Sequence, residues 1–209
     1  MSNPWLDRWQ QGQIGWHETH GNRGLKTNWS ASGRNVLVPL CGKSADLLWL
    51  AEKGNRVTGV ELSPIAAEAF FAEHGLSFTE ESSAAMPVYV ARELPLRLVC
   101  GDYFDFEETG FDAHYDRGAL VALPPDVRPR YAGHTLERLT PDALQCVITL
   151  EYAAGNTNGP PFAVPDAELL ERWPRLELRD RYDDSAAMPP KFRDAGVAEF
   201  YEKVWMTPD

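Results

Sequence analysis

The sequence predicts an α/β fold: a doubly wound, mostly parallel sheet of seven strands with helices on both faces. Three observations carry this. Short apolar runs alternate with stretches of helical period along the chain. Parallel strands can be joined only by crossovers of that kind, which must cover both faces of the sheet. And 209 residues, 44% hydrophobic and 24% charged, suit one domain, residues 1–209, around one substantial core.

In chain order, residues 1–33 are an aromatic-rich N-terminal segment. Asn35 to Leu40 is the first strand, Ser44 to Lys53 a helix closed by Gly54, and Arg56 to Glu61 the second strand, together one βαβ unit. Ser63 caps a second helix, with Pro64 at its first position and Gly75 past its end. Further strands are Leu96 to Cys100, Phe111 to Tyr115, Leu144 to Tyr152, Leu176 to Tyr182 and Phe200 to Met206, with a helix over Pro129 to Leu139. The longest irregular stretches, Gly12 to Gly33, Ser77 to Arg92 and Asp183 to Asp194, are expected to be functional lids.

Composition removes several function classes. A net charge of −11 opposes the basic footprint that binding a phosphate backbone requires, so nucleic acid is not an expected partner. The N-terminus has no charged and apolar leader, and nowhere do roughly 18 apolar residues run together, so no membrane association is expected. Cys41, Cys100 and Cys146 lack metal-ligand spacing and read as reduced thiols of a cytoplasmic protein. His17 and His20 lack the His-Glu-x-x-His pattern, and no metal is expected.

In an open α/β sheet the ligand lies beyond the C-terminal strand ends, which directs attention to Pro39-Leu40-Cys41-Gly42-Lys43-Ser44. A P-loop would need a glycine where Leu37 stands, and a dinucleotide fingerprint needs three glycines where this loop has one. S-adenosylmethionine (SAM) has no phosphate to cradle, so a loop with Gly42 alone suits it best. Glu61 ends the second strand 19 residues after Gly42, near the spacing at which an acid reaches a nucleotide ribose; a solvated strand-end carboxylate is its plain alternative. Asp102 and Tyr103 follow the strand ending at Cys100. There an acid can accept from an adenine amino group and a ring can stack on the base, or the two can merely cap a turn and fill the core.

Ile14-Gly15-Trp16-His17, the run Val36 through Ser44, Gly59-Val60-Glu61-Leu62-Ser63, Tyr115 through Pro125 (Tyr-Asp-Arg-Gly-Ala-Leu-Val-Ala-Leu-Pro-Pro) and Gly159-Pro160-Pro161-Phe162 resemble the thiopurine S-methyltransferases in order and spacing. The resemblance spans nearly the whole chain. It implies a class I, Rossmann-like methyltransferase fold with an antiparallel last strand, cofactor contacts from Trp9, Leu40 and Glu61, and a role for Arg117 at the end of the fourth strand. The chain departs from the family at Trp16, at Ala153-Ala154 and around Ser30 to Gly33.

Methyl transfer from a sulfonium is an in-line displacement with an activated donor, so the protein has chiefly to align the reactants and exclude water. Arg117, also counted among the cofactor-binding residues, is the candidate catalytic residue, favouring the anion of a soft small-molecule acceptor such as a thiol, unless it is simply paired with Asp116 or another acid. Lys191 and Arg193 read as surface residues able to close over the site. Trp9 is the strongest lid residue, while Trp5 and Trp29 are expected to dock the N-terminal segment. Cys41 reads as a small residue in a tight loop. The function expected is methylation of sulfur by a monomeric enzyme. The alternatives are methylation of halide, thiocyanate, selenium or tellurium species, an NAD-dependent oxidoreductase, and a SAM-binding protein without turnover.

Overall fold

The computed structural model describes residues 3–15, 17–82, 86–153 and 159–208. Its strands are β1 (Asn35–Pro39), β2 (Arg56–Glu61), β3 (Phe78–Ser82), β4 (Pro87–Ala91), β5 (Leu96–Cys100), β6 (Phe111–Arg117), β7 (Leu139–Tyr152), β8 (Glu177–Asp183) and β9 (Phe200–Met206). Among the described residues these nine form one sheet in the order β3-β4-β5-β2-β1-β6-β7-β9-β8. β5, β2, β1, β6 and β7 run parallel, and β9 runs antiparallel to both β7 and β8, as the resemblance implied.

The strand count corrects the expected seven. Ser77 to Arg92 is not a lid: β3 and β4 pair antiparallel in it and extend the sheet beside β5. Glu80 and Glu81 hide the period of β3 because an edge strand tolerates charge, and Pro87 stands at the first position of β4, where proline does no harm.

The helices are α1 (Pro4–Gln10), α2 (Arg23–Asn28), α3 (Ala45–Glu52), α4 (Pro64–Glu73), α5 (Ala119–Ala122), α6 (Arg128–Arg138), α7 (Asp166–Arg172) and α8 (Pro190–Asp194). Two of them, α2 and α8, lie in stretches expected to be irregular. Ser44 and Ser63 cap α3 and α4 through their hydroxyl oxygens, which accept from Asp46 N and Ala66 N.

Alternation along the central strands buries both faces. Val36 and Val38 of β1 enter one core with Leu47 and Leu50 of α3 and Phe70 and Phe71 of α4; Leu37 enters the other with Tyr131 of α6 and Leu169 of α7. A strand covered on both sides reads as a continuous apolar run, which is why β1 is conspicuous in the sequence. From β1 the chain winds outward through β2, then returns to lay β6 on the other side of β1. The switch point therefore falls between the C-terminal ends of β1 and β6, and those ends carry Leu40 and Arg117.

Candidate active site

A cleft of about 970 Å3 opens at this switch point. Leu40 and Gly42 line it from the loop after β1, Glu61 from the end of β2, Asp102 and Tyr103 from the turn after β5, Arg117 from the end of β6 and Trp9 from α1. The residues singled out from the sequence thus meet in one space.

The loop after β1 is shaped by backbone conformation. Leu40 has φ +46°, alone among the described non-glycine residues in being positive, and Gly42 has φ +55°. Holding leucine in the left-handed region costs about 1–2 kcal/mol, and such local strain is typical of functional loops. Gly42 also lies under the Trp9 ring: an added Cβ would sit 3.4 Å from Trp9 Cζ2. Gly42→Ala is expected to cost about 1–2 kcal/mol of stability through its left-handed φ. The Trp9 ring, at ordinary contact distance from the added methyl, should stay in place, so thermal unfolding should shift while tryptophan emission of the folded protein does not.

Glu61 is buried. Its Oε2 accepts from Gly42 N and its Oε1 from Ser63 N, each at 2.8 Å, so the carboxylate ties the loop after β1 to the loop after β2. A carboxylate has about four acceptor positions, so these contacts leave acceptor capacity for a hydroxyl donor in the cleft. Burial raises its pKa, and the N–H groups of Ser63, Gly42 and Leu62 work in the opposite direction. The plain alternative, a solvated strand-end acid, is corrected by this burial.

Asp102 does cap its turn, with Oδ1 accepting from Phe104 N at 2.9 Å, while still facing the cleft. Tyr103 belongs mainly to the core. Its ring packs against Phe106, Tyr131 and His134, and its hydroxyl lies 3.0 Å from Thr135 Oγ1. The half-buried ring lining the cleft is its neighbour Phe104, beneath the Arg130 guanidinium at 3.8 Å.

Arg117 is paired, but with Glu18 of the N-terminal segment and not with Asp116. Asp116 is turned into the core, where it accepts from Ala119 N, Leu120 N and the Tyr131 hydroxyl; burial pushes its pKa up to about 6. Burial works to lower the pKa of Arg117, yet Glu18, Tyr115, Asp46 and Glu202 outweigh it and leave the group more firmly protonated. The N-terminal segment is pinned at a second point by His17 Nε2, 3.0 Å from Glu73 Oε1, while Lys43 Nζ holds Glu73 Oε2 at 2.7 Å. Contacts of this partly exposed kind are worth about 1 kcal/mol or less each, so they add little to the hold on the segment, which is anchored instead by buried Trp9, Asn22, Leu25 and Trp29. Trp16 lies outside the described residues, as does Ala154.

Three polar residues were not foreseen. Asn22 donates from Nδ2 to both oxygens of Glu202 on β9, and its own N–H donates to Asp46 Oδ1, whose other oxygen accepts from the Tyr115 hydroxyl. Burial raises the pKa of Glu202, with the Asn22 hydrogen bond and Arg117 acting the other way. The signal in the sequence was an acid interrupting the apolar run of β9. Trp29 is buried in the core, as a docking residue should be, and Trp5 instead lines the cleft. Cys41 is buried and its thiol pKa is pushed well up by desolvation and by Glu61, the state of an inert small residue. Lys191 lines the cleft, whereas Arg193 is occupied with the Met188 carbonyl at 3.3 Å.

A doubly wound sheet with an antiparallel last strand, a single-glycine loop after β1 and a buried acid at the end of β2 defines a class I SAM-dependent methyltransferase. The family model described as thiopurine S-methyltransferase matches residues 1–208, and the chain belongs to that family. The thiopurine S-methyltransferase of Nitrosospira multiformis is 38% identical over 212 residues, covering 97% of this chain and 95% of that protein. The thiopurine S-methyltransferase of Bordetella parapertussis is 44% identical over 204 residues, covering 93% and 92%. Among solved structures, the Burkholderia thailandensis 1,6-didemethyltoxoflavin-N1-methyltransferase, bound to S-adenosylhomocysteine, superposes with a TM-score of 0.62 at 19% identity, covering 99% of this chain and 86% of that one. A TehB-like SAM-dependent methyltransferase from Corynebacterium glutamicum gives 0.55 at 20% identity, covering 98% and 97%. Both likenesses concern the fold.

Proposed function

We propose that the protein methylates the sulfur of small aromatic or heterocyclic thiols, thiopurines among them. The observation that carries this is one cleft whose lining takes in Gly42 and Glu61, the Arg117 guanidinium and the apolar side chains of Val121, Leu123, Ile148 and Leu150. Membership of the family and the names of the curated relatives support the choice of sulfur.

SAM supplies an activated methyl group on a sulfonium, so the residues need only bind, orient and keep water away. The remaining acceptor capacity of Glu61 suits the ribose hydroxyls, and Trp9, stacked over Gly42, covers the methionine end. Asp102 and Phe104 suit the adenine, with Tyr103 contributing its turn more than its ring. Leu40 shapes the floor. Arg117 directs N–H groups at the acceptor sulfur once Glu18 yields, favouring the thiolate over the thiol.

Residues 1–33 act as the lid of a single, monomeric domain, residues 1–209. The buried thiols support a reducing, cytoplasmic setting. Among the described residues no helix is long and apolar enough to cross a membrane. The charge of −11 supports a small-molecule partner over nucleic acid.

The test is calorimetric titration with S-adenosylhomocysteine followed by methyl transfer to 6-mercaptopurine. Binding with turnover is expected; absence of binding would remove the cofactor assignment. Arg117→Ala is expected to retain S-adenosylhomocysteine affinity and to lose roughly ten- to a hundredfold in turnover, the range of a directed donor removed from a reacting centre. Equal loss of cofactor affinity would overturn the role given to Arg117.

A further inference from the structure

The inner end and the mouth of the cleft differ in charge balance. Inside, Arg117 is compensated by its pair with Glu18 and by the nearby carboxylates of Asp46 and Glu202. Little positive field is left there for any anionic group beyond the reacting sulfur.

At the mouth the balance is reversed. Arg8 of α1 and Lys191 of α8 both line the cleft. The Arg8 guanidinium lies over the Trp5 ring at 4.9 Å, and Lys191 Nζ donates to the carbonyl of Pro160 across the rim. Desolvation and then the charge of Arg8 lower the pKa of Lys191, so the two cations share one field. Among the described residues neither forms an ion pair, in a chain with 31 acidic and 20 basic residues. Two cations facing one cleft with no acidic partner among the described residues, in a chain rich in acids, are a costly arrangement unless an anion neutralises them.

We propose that Arg8 and Lys191 form a cationic clamp at the cleft mouth that selects acceptors bearing a carboxylate, with the thiol sulfur directed inward toward Arg117. This rests on the sulfur-methylation reading for the orientation of the acceptor. Trp5, Pro161 and Met188 line the apolar wall against which the acceptor ring would lie. A carboxylate suits the pair because a guanidinium and an ammonium can each donate to one of its oxygens.

The test compares 4-mercaptobenzoate with 4-mercaptobenzamide, whose uncharged amide also withdraws electrons from the thiol-bearing ring. Calorimetric titration of the S-adenosylhomocysteine-loaded protein is expected to show the acid binding roughly tenfold or more tighter than the amide, the scale of a hydrogen-bonded charge contact. In the double variant Arg8→Gln, Lys191→Met that ratio should fall to about one, with S-adenosylhomocysteine affinity retained. Equal affinities in the parent protein, or an undiminished preference in the variant, would overturn the clamp. So would weaker S-adenosylhomocysteine binding with the acceptor preference intact, which would assign the pair to the cofactor's own carboxylate. If the acid binds preferentially but neither thiol is methylated, the sulfur-methylation reading fails and the clamp stands.

Discussion

Glu61→Ala is expected to weaken S-adenosylhomocysteine binding by at least about a hundredfold, since two hydrogen bonds to an ionised acceptor, each about 1.5–3 kcal/mol, are lost together. The change also leaves Gly42 N and Ser63 N without their acceptor, loosening both loops that frame the cofactor end. The fold should survive, because burial disfavours this carboxylate and its removal relieves that desolvation. Glu61→Gln is the sharper variant. A carboxylate accepts at both oxygens, whereas the amide would present its NH2 to one of two N–H donors, so glutamine is expected to bind at least about tenfold more weakly than glutamate. Burial raises the folded pKa of Glu61, so affinity should decline on acidification in the parent protein and not in Glu61→Ala. Calorimetry across pH with circular dichroism as a folding control checks all three, and wild-type affinity in both variants would remove Glu61 from the cofactor site.

His114→Leu is expected to change how stability responds to acid. His114 lies in the middle of β6, fully buried in register with Leu37 and Gln145, and burial pushes its pKa from 6.5 to about 3. Between those values the unfolded chain binds a proton that the folded chain refuses. The stability this represents is present above pH 6.5 and lost as pH falls toward 3, about 4–5 kcal/mol in all. Asp116, two residues on, works in the opposite sense. Its folded pKa is raised from 3.8 to about 6, so the folded state holds a proton the unfolded state releases, and acidification through that window adds about 3 kcal/mol. The two nearly cancel where both titrate, and His114 dominates above pH 6 and below pH 3.8. Urea unfolding at pH 7 and pH 4.5 should therefore show the variant gaining about 2–3 kcal/mol relative to the parent on acidification. Parallel pH curves for the two proteins would refute this.

Much of the central sheet was legible because it obeys local rules. β2, β5 and β9 fall on their expected bounds, and α4 lies between the residues chosen as its cap and its terminator, since apolar run, Ser-Pro start and glycine stop all lie within a few residues of one another. β3 and β4 were not legible, because an edge hairpin buries only part of its surface and tolerates the glutamates that erase its period. Tyr103 and Phe104 show the same limit inside the site. Two adjacent aromatics after a strand are equivalent in sequence, and only the turn capped by Asp102 decides that Tyr103 enters the core while Phe104 faces the cleft.

By itself the sequence determined the α/β class, the order of the central strands and helices, and the residues at the strand ends where a doubly wound sheet must place its ligand. These follow from apolar period, caps and spacing, which act over short stretches of chain. Tertiary structure alone decided the partners of the charged groups. It brought Glu18 to Arg117, Asn22 to Glu202 and Arg8 to the same rim as Lys191 across wide separations in sequence. Charges at those separations leave no periodic trace, and their neighbours are set by where the packed elements carry them, so the electrostatics of the cleft had to be read from the folded chain.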